Sequence, residues 1–89
     1  MRSRTTRSFR RAFERLPSDA QERARTAYQR FEADPDGAGL RFKKVGDNPP
    51  VYSVRVSERL RALGYRDGDT VSWFWIGFHA EYDRLIRGL

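Results

Sequence analysis

The chain has no cysteine, one histidine and one methionine, and no apolar run long enough to cross a bilayer. Without cysteine, neither a disulfide nor a thiolate metal site can supplement the core, and the chain suits a reducing compartment. No cluster of other metal ligands is evident, so neither a metal nor a cofactor is expected. The first residues are arginine-rich and lack the apolar segment of a secretory signal, so a cytoplasmic location with no membrane contact is expected. At 89 residues there is room for one small domain, residues 1–89, around one core.

What is present is aromatic and basic. Aromatic residues make up 13% and charged residues 34%, interspersed closely enough to argue for a folded chain rather than a disordered one. The net charge of +6 is uneven: residues 1–45 hold twelve Lys/Arg against six Asp/Glu, and residues 46–89 hold six of each. Six arginines lie between Arg2 and Arg15. Such a field attracts polyanions and acidic protein partners alike, and does not choose between them.

Periodicity orders the elements. Phe9, Ala12, Phe13 and Leu16 recur at i, i+3, i+4 and i+7, which predicts a helix of about two turns. Pro17 interrupts it, Ser18-Asp19 offers an N-cap, and Ala20, Ala24, Ala27, Tyr28 and Phe31 form the stripe of a second helix. So short a break predicts an antiparallel helix hairpin. After a loop over Asp34–Gly39 the period becomes alternating. Strands are expected at Leu40–Val45, Val51–Ser57, Leu60–Tyr65 and Thr70–Phe78, with an Asp67-Gly68 hairpin turn before the last. Tyr52, Val54 and Val56 face the core; Ser53, Arg55 and Ser57 face solvent. Trp73 and Trp75 are expected to share a face, as packing rather than a base-stacking platform. The last strand is apolar on both sides, which predicts a central position, and His79–Leu89 suits a short closing helix. Residues 2–6 offer an additional edge strand. The fold class is therefore α+β, a helix hairpin packed on one face of an antiparallel sheet of about four strands.

One constellation suits phosphodiester chemistry. Cleavage of RNA by its own 2′-hydroxyl needs a base, an acid and cations for the pentavalent phosphate. His79, at the end of the last strand, can serve as acid or base; Arg55 and Arg61 offer forked donors for phosphate oxygens. Tyr82 lies three residues on, where it can orient a phosphate or stack on a base. Lys43, Lys44 and Arg59 add contacts for an RNA backbone, although the strand period puts Lys43 and Lys44 on opposite faces. Each residue also has a plainer reading. A lone strand-end histidine often caps, strand arginines often bridge acids such as Glu58, Asp67 or Asp69, and Tyr82 shares helical spacing with Leu85 and Ile86.

The order of motifs resembles a known family. Phe-Arg-Arg-Ala-Phe-Glu-Arg-Leu-Pro (9–17), Val-Tyr-Ser-Val-Arg-Val (51–56), Leu-Arg-Ala-Leu (60–63) and Trp-Phe-Trp-Ile-Gly-Phe-His-Ala-Glu-Tyr-Asp (73–83) are similar to toxins of the RelE/ParE superfamily of bacterial type II toxin–antitoxin systems. The resemblance implies a RelE-like fold and, on the RelE side, a metal-independent endoribonuclease acting on ribosome-bound mRNA. By position, Arg55 matches a basic sheet residue, Arg61 the phosphate-contacting arginine of the next strand, His79 the C-terminal catalytic position and Tyr82 a terminal tyrosine. Ser53 stands where relatives carry a lysine, a gap for Lys43 or Lys44 to fill. The resemblance also implies a cognate antitoxin, with operator DNA bound only by the toxin–antitoxin complex. Two other activities stay open: ParE-type inhibition of DNA gyrase without nuclease activity, and a catalytically weak antitoxin-binding module.

Overall fold

The computed structural model describes residues 1–89. In chain order it forms β1 (Arg2–Thr5), α1 (Arg7–Glu14), α2 (Ser18–Ala33), β2 (Lys43–Asp47), β3 (Pro50–Arg55), β4 (Leu60–Asp67), β5 (Thr70–Phe78) and α3 (His79–Arg87). The strands form one sheet in the order β1-β5-β4-β3-β2. β2 through β5 run as an antiparallel meander, while β1 joins β5 in parallel, with Arg2 opposite Thr70 and Thr5 opposite Trp73. The sheet is thus five-stranded and mixed, and β5 is internal to it, as its two-sided apolarity required.

Local chemistry sets the element ends. Thr6 closes β1 and opens α1: its Oγ1 accepts from the Phe9 amide at 3.2 Å and donates to the Trp73 carbonyl at 2.9 Å. The expected cap of α2 at Ser18-Asp19 is displaced by one residue. Pro17 holds the N-cap position at φ −59 and makes no side-chain cap bond, while Asp19 sits in the first turn, where a negative charge suits the helix dipole. Gln21 Nε2 donates to the Phe13 carbonyl at 3.1 Å across the hairpin. α2 buries Ala20, Ala24, Ala27 and Phe31 as one stripe. Phe9, Leu16, Ala20, Ala24, Ala27 and Phe31 join Leu40, Val54, Leu60, Ala62, Val71, Trp73 and Ile76 in the main core. Phe31 meets Trp73 edge-on with centroids 5.2 Å apart.

Three expectations are corrected. β2 starts at Lys43 rather than Leu40, because Leu40 drops into the core and Arg41 takes φ +49, which breaks the extended run. The β4–β5 turn has Gly68-Asp69 at its centre, Asp67 being already paired with Thr70; Gly68 takes φ +59 at the first central position, where a type II′ turn favours glycine. Trp73 and Trp75 do not share a face. The register slips between Leu63 and Gly64, leaving Phe74 as an extra residue in β5. Trp73 therefore joins the main core, and Trp75 packs on the opposite side of the sheet.

That opposite side is not the open face the alternation predicted. α3 folds across it, and Tyr82 with Ile86 packs on Val51 and Leu63 in a second, smaller core. Ser53, expected in solvent, is 2% exposed. The sheet is thus covered by the hairpin on one face and partly by α3 on the other.

Candidate active site

Where α3 leaves β5 it does not cover the end of the sheet. The remaining recess, about 290 Å³, is lined by Arg41, Lys43, Ser53, Arg55, Arg61, His79, Tyr82, Asp83 and Ile86. Strand register assembles the floor. Lys43 stands opposite Ser53, and Arg55 stands opposite Arg61. Like charges directly opposite on neighbouring strands are unfavourable. Burial, and then the positive charge of Arg55, push the pKa of Arg61 below its ordinary value. Arg41 adds to that push, and Tyr82 and Asp83 oppose it.

Arg61 is also held in place. Its Nη1 donates to the carbonyls of Ser57 at 2.7 Å, Leu60 at 3.0 Å and Glu58 at 3.2 Å, bracing the β3–β4 turn. Its Nη2 and Nε have no protein partner. Neither Arg55 nor Arg61 bridges an acid: the two ion pairs of the chain are Lys44–Asp47 at 3.1 Å and His79–Asp83 at 3.0 Å. Four cations therefore face one recess without a bound counter-charge, an arrangement that an anion relieves.

Arg41 enters this group through an unusual backbone. Its φ of +49 is left-handed, a region that costs a non-glycine residue about 1–2 kcal/mol. The neighbouring Leu40 is 1% exposed, and its carbonyl accepts from the Arg55 amide at 2.6 Å. With Leu40 fixed in the core, the strained step places Arg41 on the recess.

His79 is the first residue of α3, and its amide donates to the Arg59 carbonyl at 2.9 Å. One helical turn on, Asp83 Oδ2 lies 3.0 Å from His79 Nδ1. An ionised carboxylate only accepts, so Nδ1 is the donor and Nε2 is left without a protein partner. The His79 ring also meets Tyr82 edge-on at 5.7 Å.

The sequence candidates divide accordingly. His79, Arg55, Arg61 and Lys43 come together on the recess. Tyr82 lines it too but is 6% exposed, and its hydroxyl donates to Ser53 Oγ at 3.1 Å, so it anchors α3 in the core. Lys44 pairs with Asp47 away from the recess, and Lys43 takes the place beside Ser53. Arg59 is exposed outside the recess and contributes its backbone carbonyl to the start of α3. The sequence reading missed Arg41 and Asp83. Asp83 carried a usable signal, four residues from a histidine predicted to start a helix; Arg41 carried none.

No helix of the chain is long and apolar enough to cross a membrane. A search of curated proteins returns no match. Among solved structures, the RelB–RelE antitoxin–toxin complex of Methanococcus jannaschii aligns with TM-score 0.70 at 16% identity over 90% of this chain and 95% of that one. The YoeB/ParE toxin of Agrobacterium tumefaciens aligns with TM-score 0.66 at 15% identity, over 89% and 99%. The toxin–antitoxin complex RelBE2 of Mycobacterium tuberculosis aligns with TM-score 0.61 at 19% identity, over 88% and 96%. These likenesses show the RelE-like fold. A family model for the ParE-like toxin domain matches residues 18–84, from the start of α2 through the meander and into the helix carrying His79 and Asp83. On that match, over most of its length and every strand of the meander, the chain belongs to the ParE-like toxin family within the RelE/ParE superfamily.

Proposed function

We propose that this toxin is a metal-independent endoribonuclease that cuts mRNA, with the ribosome presenting the strand. The observation that carries the reading is the His79–Asp83 pair set beside the opposed arginines Arg55 and Arg61. Nε2 of His79 takes the proton of the 2′-hydroxyl as its oxygen attacks phosphorus. Arg61, through its free Nη2 and Nε, and Arg55 hold the negative charge that builds on the non-bridging oxygens. The P–O5′ bond then breaks and O5′ leaves with a proton from solvent or from the Lys43 ammonium. The products are a 2′,3′-cyclic phosphate and a 5′-hydroxyl. Lys43 and Arg41 contact the flanking backbone, Tyr82 positions α3, and Lys44 and Arg59 lie outside this immediate set.

The partner side of the reading is a cognate antitoxin, supported by the toxin–antitoxin complexes among the structural matches. β1 pairs with β5 only as far as Trp73, so the β1-side edge of Phe74–Phe78 carries no strand. The groove there, between α1 and α3, is lined by Arg11, Arg15 and Arg84 against one acid, Glu81, with Leu16, Trp75 and Leu85 as apolar floor. An acidic segment with apolar anchors suits it. Operator DNA belongs to that complex, not to the toxin alone.

End chemistry tests the reaction. RNA fragments from cells expressing the protein should carry 5′-hydroxyls, so that adapter ligation requires prior phosphorylation; 5′-phosphate ends would contradict attack by the 2′-oxygen. The ParE-like family match gives a second reading, inhibition of DNA gyrase. In that case mRNA stays intact, and purified protein blocks supercoiling equally well with His79→Ala.

A further inference from the structure

We infer that Asp83 is the positioning residue of the proposed active site, fixing His79 in the Nδ1–H tautomer and stabilising the imidazolium that forms when Nε2 accepts a proton. The role in cleavage rests on the ribonuclease reading; the tautomer does not.

The geometry leaves Asp83 little else to do. Its side chain is 43% exposed, and its carboxylate hydrogen-bonds no other side chain; its Oδ2 meets His79 Nδ1 at 3.0 Å. His79 and Asp83 occupy the i and i+4 positions of one helix whose start is pinned by the Arg59 carbonyl and whose middle is anchored by Tyr82 on Ser53. The ring is thus held from the side opposite its reactive nitrogen, the requirement for a histidine that must present Nε2 as acceptor.

Charge strengthens the case. Arg41, Lys43, Arg55 and Arg61 line the recess with His79, whose ring also sits in the first turn of α3, near the positive end of the helix dipole. Asp83 is the one acid lining the recess. When Nε2 takes the proton of the 2′-hydroxyl, the carboxylate offsets the charge of the imidazolium without itself taking a proton. The recess thus divides its groups: the cations face the phosphate, and Asp83 faces the base.

Because His79 is the only histidine, its imidazole nitrogens can be read by ¹⁵N NMR without assignment. At a pH where the ring is neutral, the wild-type protein should show Nδ1 protonated and Nε2 bare. Asp83→Ala should revert the ring to the Nε2–H form that an unpartnered imidazole prefers. The same variant should cut RNA about 100-fold or more slowly in single turnover with RNA affinity and melting temperature essentially unchanged, and Asp83→Glu should restore most of the rate. A wild-type ring in the Nε2–H form, or a tautomer unmoved by Asp83→Ala, overturns the inference. So does an Asp83→Ala protein that cleaves at the wild-type rate. A wild-type protein inert on ribosome-bound and free RNA overturns the ribonuclease reading, with the Nδ1 signal still deciding the pairing.

Discussion

Arg41 and Arg61 each hold a cation where the fold does not favour one. Arg61 is partly buried opposite Arg55, and Arg41 sits at φ +49. Replacing Arg41 by glycine removes the backbone strain and one cation together. Arg41→Gly should therefore raise stability by about 1 kcal/mol in urea unfolding and weaken RNA binding in the same preparation. A loss of stability would contradict the strain assignment. At this scale the strand period reached His79, Arg55 and Arg61, because each sits at a position that alternation or a strand end defines. It did not reach Arg41, since a left-handed turn at a residue other than glycine or asparagine leaves no compositional trace. Ser53, which the family resemblance marks as a missing lysine, is the acceptor for the Tyr82 hydroxyl; that partner lies 29 residues away and depends on where α3 lands.

α3 is the element that turns a sheet face into a recess. Tyr82 is its anchor, and Tyr82→Phe leaves the buried Ser53 hydroxyl without its partner. A cost of about 1 kcal/mol is expected in thermal or denaturant unfolding, with slower cleavage only in proportion to looser docking. A Tyr82→Phe protein of full stability but no activity would instead make the hydroxyl a catalytic group. Gly77 supports the same helix from below: a side chain there would meet the indole of Trp75, whose Nε1 donates to Glu81 Oε2 at 3.2 Å. Gly77→Ala should therefore displace Trp75, lower the melting temperature and shift the near-ultraviolet tryptophan signal; an unchanged spectrum would contradict this packing. The elements themselves were largely legible, β5 to the residue, because its apolar run ends at His79. The faces were less so. A bulge inverts the strand phase at Phe74, and period counting assumes no bulge; that is why Trp73 and Trp75 separate. Alternation alone starts β2 too early, because Leu40 looks like a strand residue when only its hydrophobicity is counted.

On the scale of the whole molecule, charge and topology divide the work. The sheet order β1-β5-β4-β3-β2 puts β5 beside β1 and so brings the arginine-rich N-terminus next to the groove flanked by α3. The parallel β1–β5 pairing was not legible, since a four-residue edge strand carries too little pattern to give its direction. The unneutralised recess makes a salt prediction. With about four cations engaging phosphates, the logarithm of RNA affinity should fall against the logarithm of salt with a slope of roughly −3 for a single strand. Arg55→Ala should reduce that slope by nearly one unit, and an unchanged slope would place the RNA elsewhere on the basic surface.

The most direct test of the central claim is primer extension on a reporter mRNA after induced expression, wild type beside His79→Ala. New cleavage ends within the coding region, reduced about 100-fold or more by a substitution that leaves the protein folded, are the predicted result. Growth arrest by both proteins with the reporter intact would contradict it and move the toxic action away from this recess.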